Sequence, residues 1–146
     1  MITIKLKCDK AIREKLQSFG LEKRRVENYL QYLTNNLINT RKWQYYELRV
    51  RPSDSLGSEY FWGEDTIHVA VKSPFRTKKE RKIYFLTSLV HEYRHWVQSQ
   101  IQNISESKIA YTNQDVAEMN EKYTENPLEK QCAEWERLTE SVAHII

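Results

Sequence analysis

Three glycines and three prolines among 146 residues leave little material for a flexible linker, so a single domain spanning 1–146 is expected. Its two cysteines, Cys8 and Cys132, form no CxxC pair, which argues for a reduced, cytoplasmic chain without a disulfide framework. No stretch approaches the roughly 18 apolar residues that a membrane span requires. The opening "MITIKLKCDK" is charged within five residues and lacks the apolar run of a signal peptide. Neither sign of charge dominates: 23 basic against 20 acidic residues give a net +3, too little to point to nucleic acid. No membrane and no nucleic-acid partner is therefore expected.

What is present suits a folded domain, with 40% hydrophobic and 29% charged residues. "ITIKLK" (2–7) alternates apolar and basic residues, the pattern of a half-buried strand. "DKAIREKLQSF" reads as a short helix closed by Gly20. A second helix over 21–38 carries Val26, Leu30, Leu33 and Leu37 on one stripe. "YYELRVRP" (45–52) reads as a strand ended by Pro52, 53–65 as a polar loop, and "TIHVAVK" (66–72) as a further strand. Thr77 and Glu80 match a capping box opening a helix that runs to about Ile101, with Ile83, Leu86, Val90, Tyr93, Val97 and Ile101 on its core face. The basic run at 76–82 is expected to be its solvated start. After a loop over 103–113, "QDVAEMNEKY" (114–123) reads as a short helix. Asn126 and Pro127 then open a helix reaching the C-terminus.

The chemistry sits in "VHEYRHWVQ" (90–98). Residues four apart on a helix lie about 40° from each other around its axis, so His91 and His95 present their imidazoles together, close enough for one metal ion. Glu92, offset by about 100°, stays out of the ligand set but beside the open coordination position, where a carboxylate can act as general base. This HExxH spacing recurs in zinc hydrolases. The alternative is an ordinary helix whose polar residues happen to fall at these positions.

"TSLVHEYRHWVQ", preceded by the strand at 66–72 and followed by an acid-bearing helix, resembles the zincin metallopeptidases over roughly residues 45–140. In that family a strand at the edge of a small sheet lies above the active helix and pairs with extended polypeptide substrate. The resemblance implies an α+β fold in which 45–146 forms the catalytic core and 1–44 an N-terminal strand and helical segment, either scaffold or a cover for the cleft. It implies one catalytic zinc ion. The metzincin branch would place glycine at 98 and histidine at 101, where this chain has Gln98 and Ile101. The gluzincin branch takes a glutamate from a later helix. "YTENPLE" (123–129) is similar to the Y-x-x-x-P-x-E stretches of compact members, which makes Glu129 the third ligand after His91 and His95, with Ala133 packing on the active helix. The chain departs from that pattern at Gln131 and Cys132.

Several alternatives stay open. Glu129 also stands where a glutamate could cap its own helix, and Glu134, Glu125, His68, His144 or Asp115 could be the third ligand instead. His68 reads as an ordinary strand residue. Tyr123 could donate to an oxyanion or be a packing aromatic. Gln98 could support a ligand, although exposed polar filler is expected. The resulting expectation is a zinc-dependent peptidase with Glu92 as general base. The rival readings are a zincin-like binding or regulatory domain of a mobile-element or stress-response protein, and a fold stapled by structural zinc.

Overall fold

Alternation at 2–6 buries Ile2, Ile4 and Leu6 and turns Lys5 outward, so the first residues form an edge strand rather than a tail. The computed structural model describes residues 2–39, 45–54, 57–106 and 126–146. Within them lie β1 (Ile2–Leu6), α1 (Lys10–Ser18), α2 (Lys23–Leu37), β2 (Tyr46–Ser53), β3 (Glu59–Tyr60), β4 (Thr66–Ala70), α3 (Lys78–Trp96) and α4 (Pro127–Val142). A π-helical turn, Val97–Ile101, extends α3, and a 3-10 turn, Ala143–Ile145, follows α4. The fold is α+β. One mixed sheet has the order β1-β2-β4-β3, its first two pairings parallel and β3–β4 antiparallel. No helix among the described residues is long and apolar enough to cross a membrane.

Residues 2–39 build onto the sheet. β1 pairs with β2 from Ile2↔Tyr46 to Leu6↔Val50. α2 blocks its outer edge: Glu27 accepts from the Leu6 N–H, and the Gln31 amide donates to the Ile2 carbonyl. Gly20, at φ +86°, ends α1 in a Schellman arrangement, with Leu21 N–H on Leu16 O at 2.9 Å and Gly20 N–H on Gln17 O at 3.0 Å. Val26, Leu30 and Leu33 are buried as expected, but Leu37 is 49% exposed. The helix ends there, and Ile38, in extended backbone, packs on the core in its place.

Pro52 does not end its strand, because β2 continues to Ser53 paired with β4. Arg49 N–H bonds toward β4, on Asp65 O, so the alternate position Pro52 turns its missing donor toward the β1 side, where pairing has already stopped at Val50. The stretch read as a loop contains β3, which takes the sheet edge beside β4 with Glu59↔His68 and Tyr60↔Ile67 in register. Two residues give no alternation for a sequence reading to detect.

α3 crosses the core, burying Phe85, Leu86, Leu89, Val90, Tyr93 and Trp96, and packs most extensively on α4. Thr77 caps it by accepting from the Glu80 N–H at 3.1 Å. The reciprocal bond differs from the expected box, since the Glu80 carboxylate accepts from the Thr77 hydroxyl at 2.8 Å. The helix was expected to run regularly to Ile101. Instead α-geometry stops at Trp96, and the i→i+5 bond from Gln102 N–H to Val97 O (2.9 Å) marks a wider turn. Asn103, at φ 54°, then turns the chain away. The short helix expected at 114–123 lies outside the described residues.

Candidate metal centre

The wide turn matters because it buries polar side chains beside the histidines. Gln98, expected at the surface, is fully buried, and its surroundings dictate its orientation. Arg94 can only donate, and its guanidinium Nη2 lies 3.1 Å from Gln131 Oε1. That same oxygen and the main-chain carbonyl of Leu128 each accept from Gln98 Nε2, both at 2.9 Å. Gln98 Oε1 is left to face His95 Nδ1 at 2.8 Å, so this nitrogen must carry the proton. His95 thereby presents the Nε2 lone pair on its far side.

His91 is held in the same way by another element. Its Nδ1 lies 3.2 Å from Glu136 Oε2 on α4. The two ring centroids are 5.0 Å apart. Both Nε2 atoms converge on Glu129, His91 at 3.1 Å from Oε2 and His95 at 3.0 Å from Oε1. The HExxH helix and the first turn of α4 thus bring the three expected ligands together. The Glu129 carboxylate stands between the imidazoles rather than over its own helix end, where Asn126 accepts from the Leu128 N–H. Glu129 Oε2 is buried without a hydrogen-bond partner despite its nearness to His91. A buried carboxylate oxygen in ion-pair contact with an imidazole nitrogen, with a second imidazole directed at the same carboxylate, is a donor set that a divalent ion would suit.

Cys132, one turn beyond Glu129, joins the group: donor atoms of His91, His95, Glu129 and Cys132 lie within 4.8 Å of one another. Its Sγ is 3.6 Å from each ring nitrogen of His95, so the sulfur packs against the imidazole itself. Burial, followed by the charge of Glu129, pushes its thiol pKa up.

Electrostatics follow from burial and proximity. Burial alone would lower the His91 pKa, but contact with Glu129 and Glu136 and the charge of Glu92 raise it to about 10. Burial would raise Glu129, yet the two histidines hold it down at about 2. Glu92 is raised to about 7, chiefly by burial, with the histidines opposing. A carboxylate there accepts a proton readily at neutral pH.

A cleft of about 310 Å³ opens over the group, walled by β3 and the turn after it, with Glu59, Tyr60, Phe61 and Trp62 facing His91, Glu92 and His95. Three hydrogen bonds clamp this wall to the end of α3: Trp62 Nε1 to Ile104 O (2.9 Å), Gly63 N–H to Ser99 Oγ (3.0 Å) and Trp96 Nε1 to Asp65 Oδ1 (2.9 Å). They seat the Trp62 ring edge-on to His95, centroids 5.9 Å apart. Residues 2–39 contribute nothing to the cleft lining. On the other side of His91 and Glu129 a second cavity of about 530 Å³ is lined by Ala133, Lys130, Glu134 and Arg137, among others.

Of the alternative ligands, Glu134 is exposed, and neither His68 nor His144 belongs to the group. Tyr123, Glu125 and Asp115 lie outside the described residues. Sequence reading missed Glu136, although it stands seven residues after Glu129 and so on the same helix face. It also missed the roles of Gln131 and Arg94, which nothing in their spacing signals. Comparisons with protein-family models, curated proteins and solved structures give no match.

Proposed function

We propose that this chain is a zinc-dependent peptidase of zincin type, with His91, His95 and Glu129 as metal ligands and Glu92 as general base. One observation carries the reading. Two imidazoles, each fixed through Nδ1, by Glu136 and Gln98, direct Nε2 at a buried carboxylate whose Oε2 has no hydrogen-bond partner. A zinc ion held there would supply Lewis acidity, polarising a carbonyl and making water acidic near neutrality.

The chain's own residues do the rest. β3 at the sheet edge offers backbone groups to an extended peptide, aligning the scissile bond over the histidines. As water attacks the carbonyl carbon, Glu92 takes its proton. When the C–N bond breaks, Glu92 returns that proton to the leaving amine nitrogen. Trp62, packed against His95, keeps bulk solvent from that ring.

The decisive measurement is zinc content of purified protein together with hydrolysis of a peptide mixture. Wild type is expected to hold one zinc and cleave. Glu92→Gln is expected to keep the zinc and lose turnover, and His91→Ala and Glu129→Ala to lose the metal. Retained cleavage in Glu92→Gln, or unchanged zinc in Glu129→Ala, would refute these roles.

A second reading has its own support in Cys132. A thiolate in the fourth position would close the site and make the metal structural. Cobalt-substituted protein separates the two. A sulfur-to-cobalt charge-transfer band that disappears in Cys132→Ser marks the closed site, and a spectrum that is the same in both proteins marks the open one.

A further inference from the structure

The cleft over the metal group is acidic in a chain that carries a net charge of +3. Among the described residues its lining holds Glu59, Glu92, Glu106 and Glu129 and no lysine or arginine. A divalent ion would offset Glu92 and Glu129, two charges against two, which leaves Glu59 and Glu106 unbalanced. Both are exposed at the rim, where they meet an incoming ligand before it reaches the histidines. Beside them Phe61 is 56% exposed, an aromatic face open to a cation. In the floor of the same cleft the buried Glu129 carboxylate lies between His91 Nε2 and His95 Nε2, so the two rim carboxylates stand over the group that the peptidase reading assigns to the metal. The cavity beside His91 and Glu129 differs, since Lys130 and Arg137 line it together with Glu134 and Glu136, and signs are mixed.

Resting on the peptidase reading, we infer that the substrates are polypeptides bearing lysine or arginine next to the scissile bond, recognised at the β3 side of the cleft by Glu59 and Glu106. A like-charged residue in that position is repelled by both carboxylates, and a low-dielectric cleft focuses the effect.

The test uses zinc-loaded protein and quenched-fluorescent peptides identical except for lysine, glutamine or glutamate, moved position by position through one scaffold. The lysine peptide is expected to exceed its glutamate counterpart by roughly tenfold in kcat/KM at low salt, as charge complementarity at a partly exposed site allows. That ratio should shrink toward unity with rising ionic strength and in the Glu59→Gln/Glu106→Gln protein. Equal rates for lysine and glutamate peptides in wild type, or a preference that survives the double substitution, overturns the inference. If no peptide is cleaved, the peptidase reading falls. Fluorescence anisotropy of the same peptides, labelled, on zinc-loaded Glu92→Gln protein then decides this one. Tighter binding of the lysine peptides upholds recognition of a basic side chain by Glu59 and Glu106, with the peptide as ligand rather than substrate, and equal or absent binding overturns it.

Discussion

Gln98 is the residue whose chemistry follows most tightly from its neighbours. Its amide satisfies one imidazole, one main-chain carbonyl and one side-chain amide at once, with no freedom to rotate. Gln98→Leu removes the acceptor for His95 Nδ1 and leaves that buried N–H without its partner. We expect zinc affinity, measured by chelator competition, to fall about 10- to 100-fold, as for other residues that orient metal ligands. Unfolding free energy should fall by about 1–3 kcal/mol per buried group left without a partner. Glu136→Gln should weaken zinc less, because Glu136 is partly exposed and an amide oxygen still accepts from His91 Nδ1. If Gln98→Leu binds zinc like wild type, the orienting role is wrong. At this scale the sequence pointed to the candidate ligands His91 and His95 and hid their supports. His91, Glu92 and His95 announce themselves because helix geometry turns a spacing of four into one face. Glu129 emerged only through a resemblance. Gln98 could not be found, because its burial depends on a wide turn that has no spacing signature.

That turn is the element on which the site depends. Between Val97 and Asn103 the chain leaves α-geometry and reverses. It then bonds Ile104 N–H back to Gln98 O at 2.9 Å, while Ile104 O receives the Trp62 indole. Asn103 makes the reversal possible by adopting a left-handed backbone that asparagine tolerates and branched residues resist. Asn103→Val should destabilise the protein by about 1–2 kcal/mol in urea unfolding, whereas Asn103→Gly should stay within about 0.5 kcal/mol. The valine protein should also show altered Trp62 fluorescence, since the cleft wall is tied to this turn. Equal stability of the two variants would place the constraint elsewhere. Elements with internal repetition were legible: β1 through alternation, α2 and α3 through their apolar stripes, and the Thr77 cap through its spacing. β3 was not, since a two-residue edge strand exists only because β4 offers it a ladder. Pro52 misled for a related reason, because whether a missing N–H matters depends on which neighbour that face of the strand has.

For the whole molecule, the candidate metal group would couple protonation, the proposed zinc and folding. His91, raised from 6.5 to about 10, contributes stability that is complete below about pH 6.5 and lost as pH rises through about 10. Glu92, raised from 4.5 to about 7, imposes the cost of a buried charge that grows from about pH 4.5 and is complete above about 7. Glu129, lowered from 4.5 to about 2, contributes stability present above about pH 4.5 and lost as pH falls through about 2. Metal-free protein should therefore be most stable near pH 5 and weaken progressively toward pH 10. The proposed zinc would act in the opposite direction, since it requires a deprotonated His91 and would bind more tightly as pH rises. At a free zinc concentration 100-fold above Kd the folded state gains about 2.7 kcal/mol, or about 5–10 °C in Tm for a chain of this length. Thermal unfolding with zinc or with EDTA should thus show a Tm gap that is small at pH 5 and widens steadily to pH 9. In Glu129→Gln, which removes both a ligand and the anion that keeps His91 protonated, the gap should close and the alkaline decline of the metal-free protein should move down toward pH 6.5. A zinc-dependent gap that is constant across this range would mean that the ion binds somewhere other than between these imidazoles.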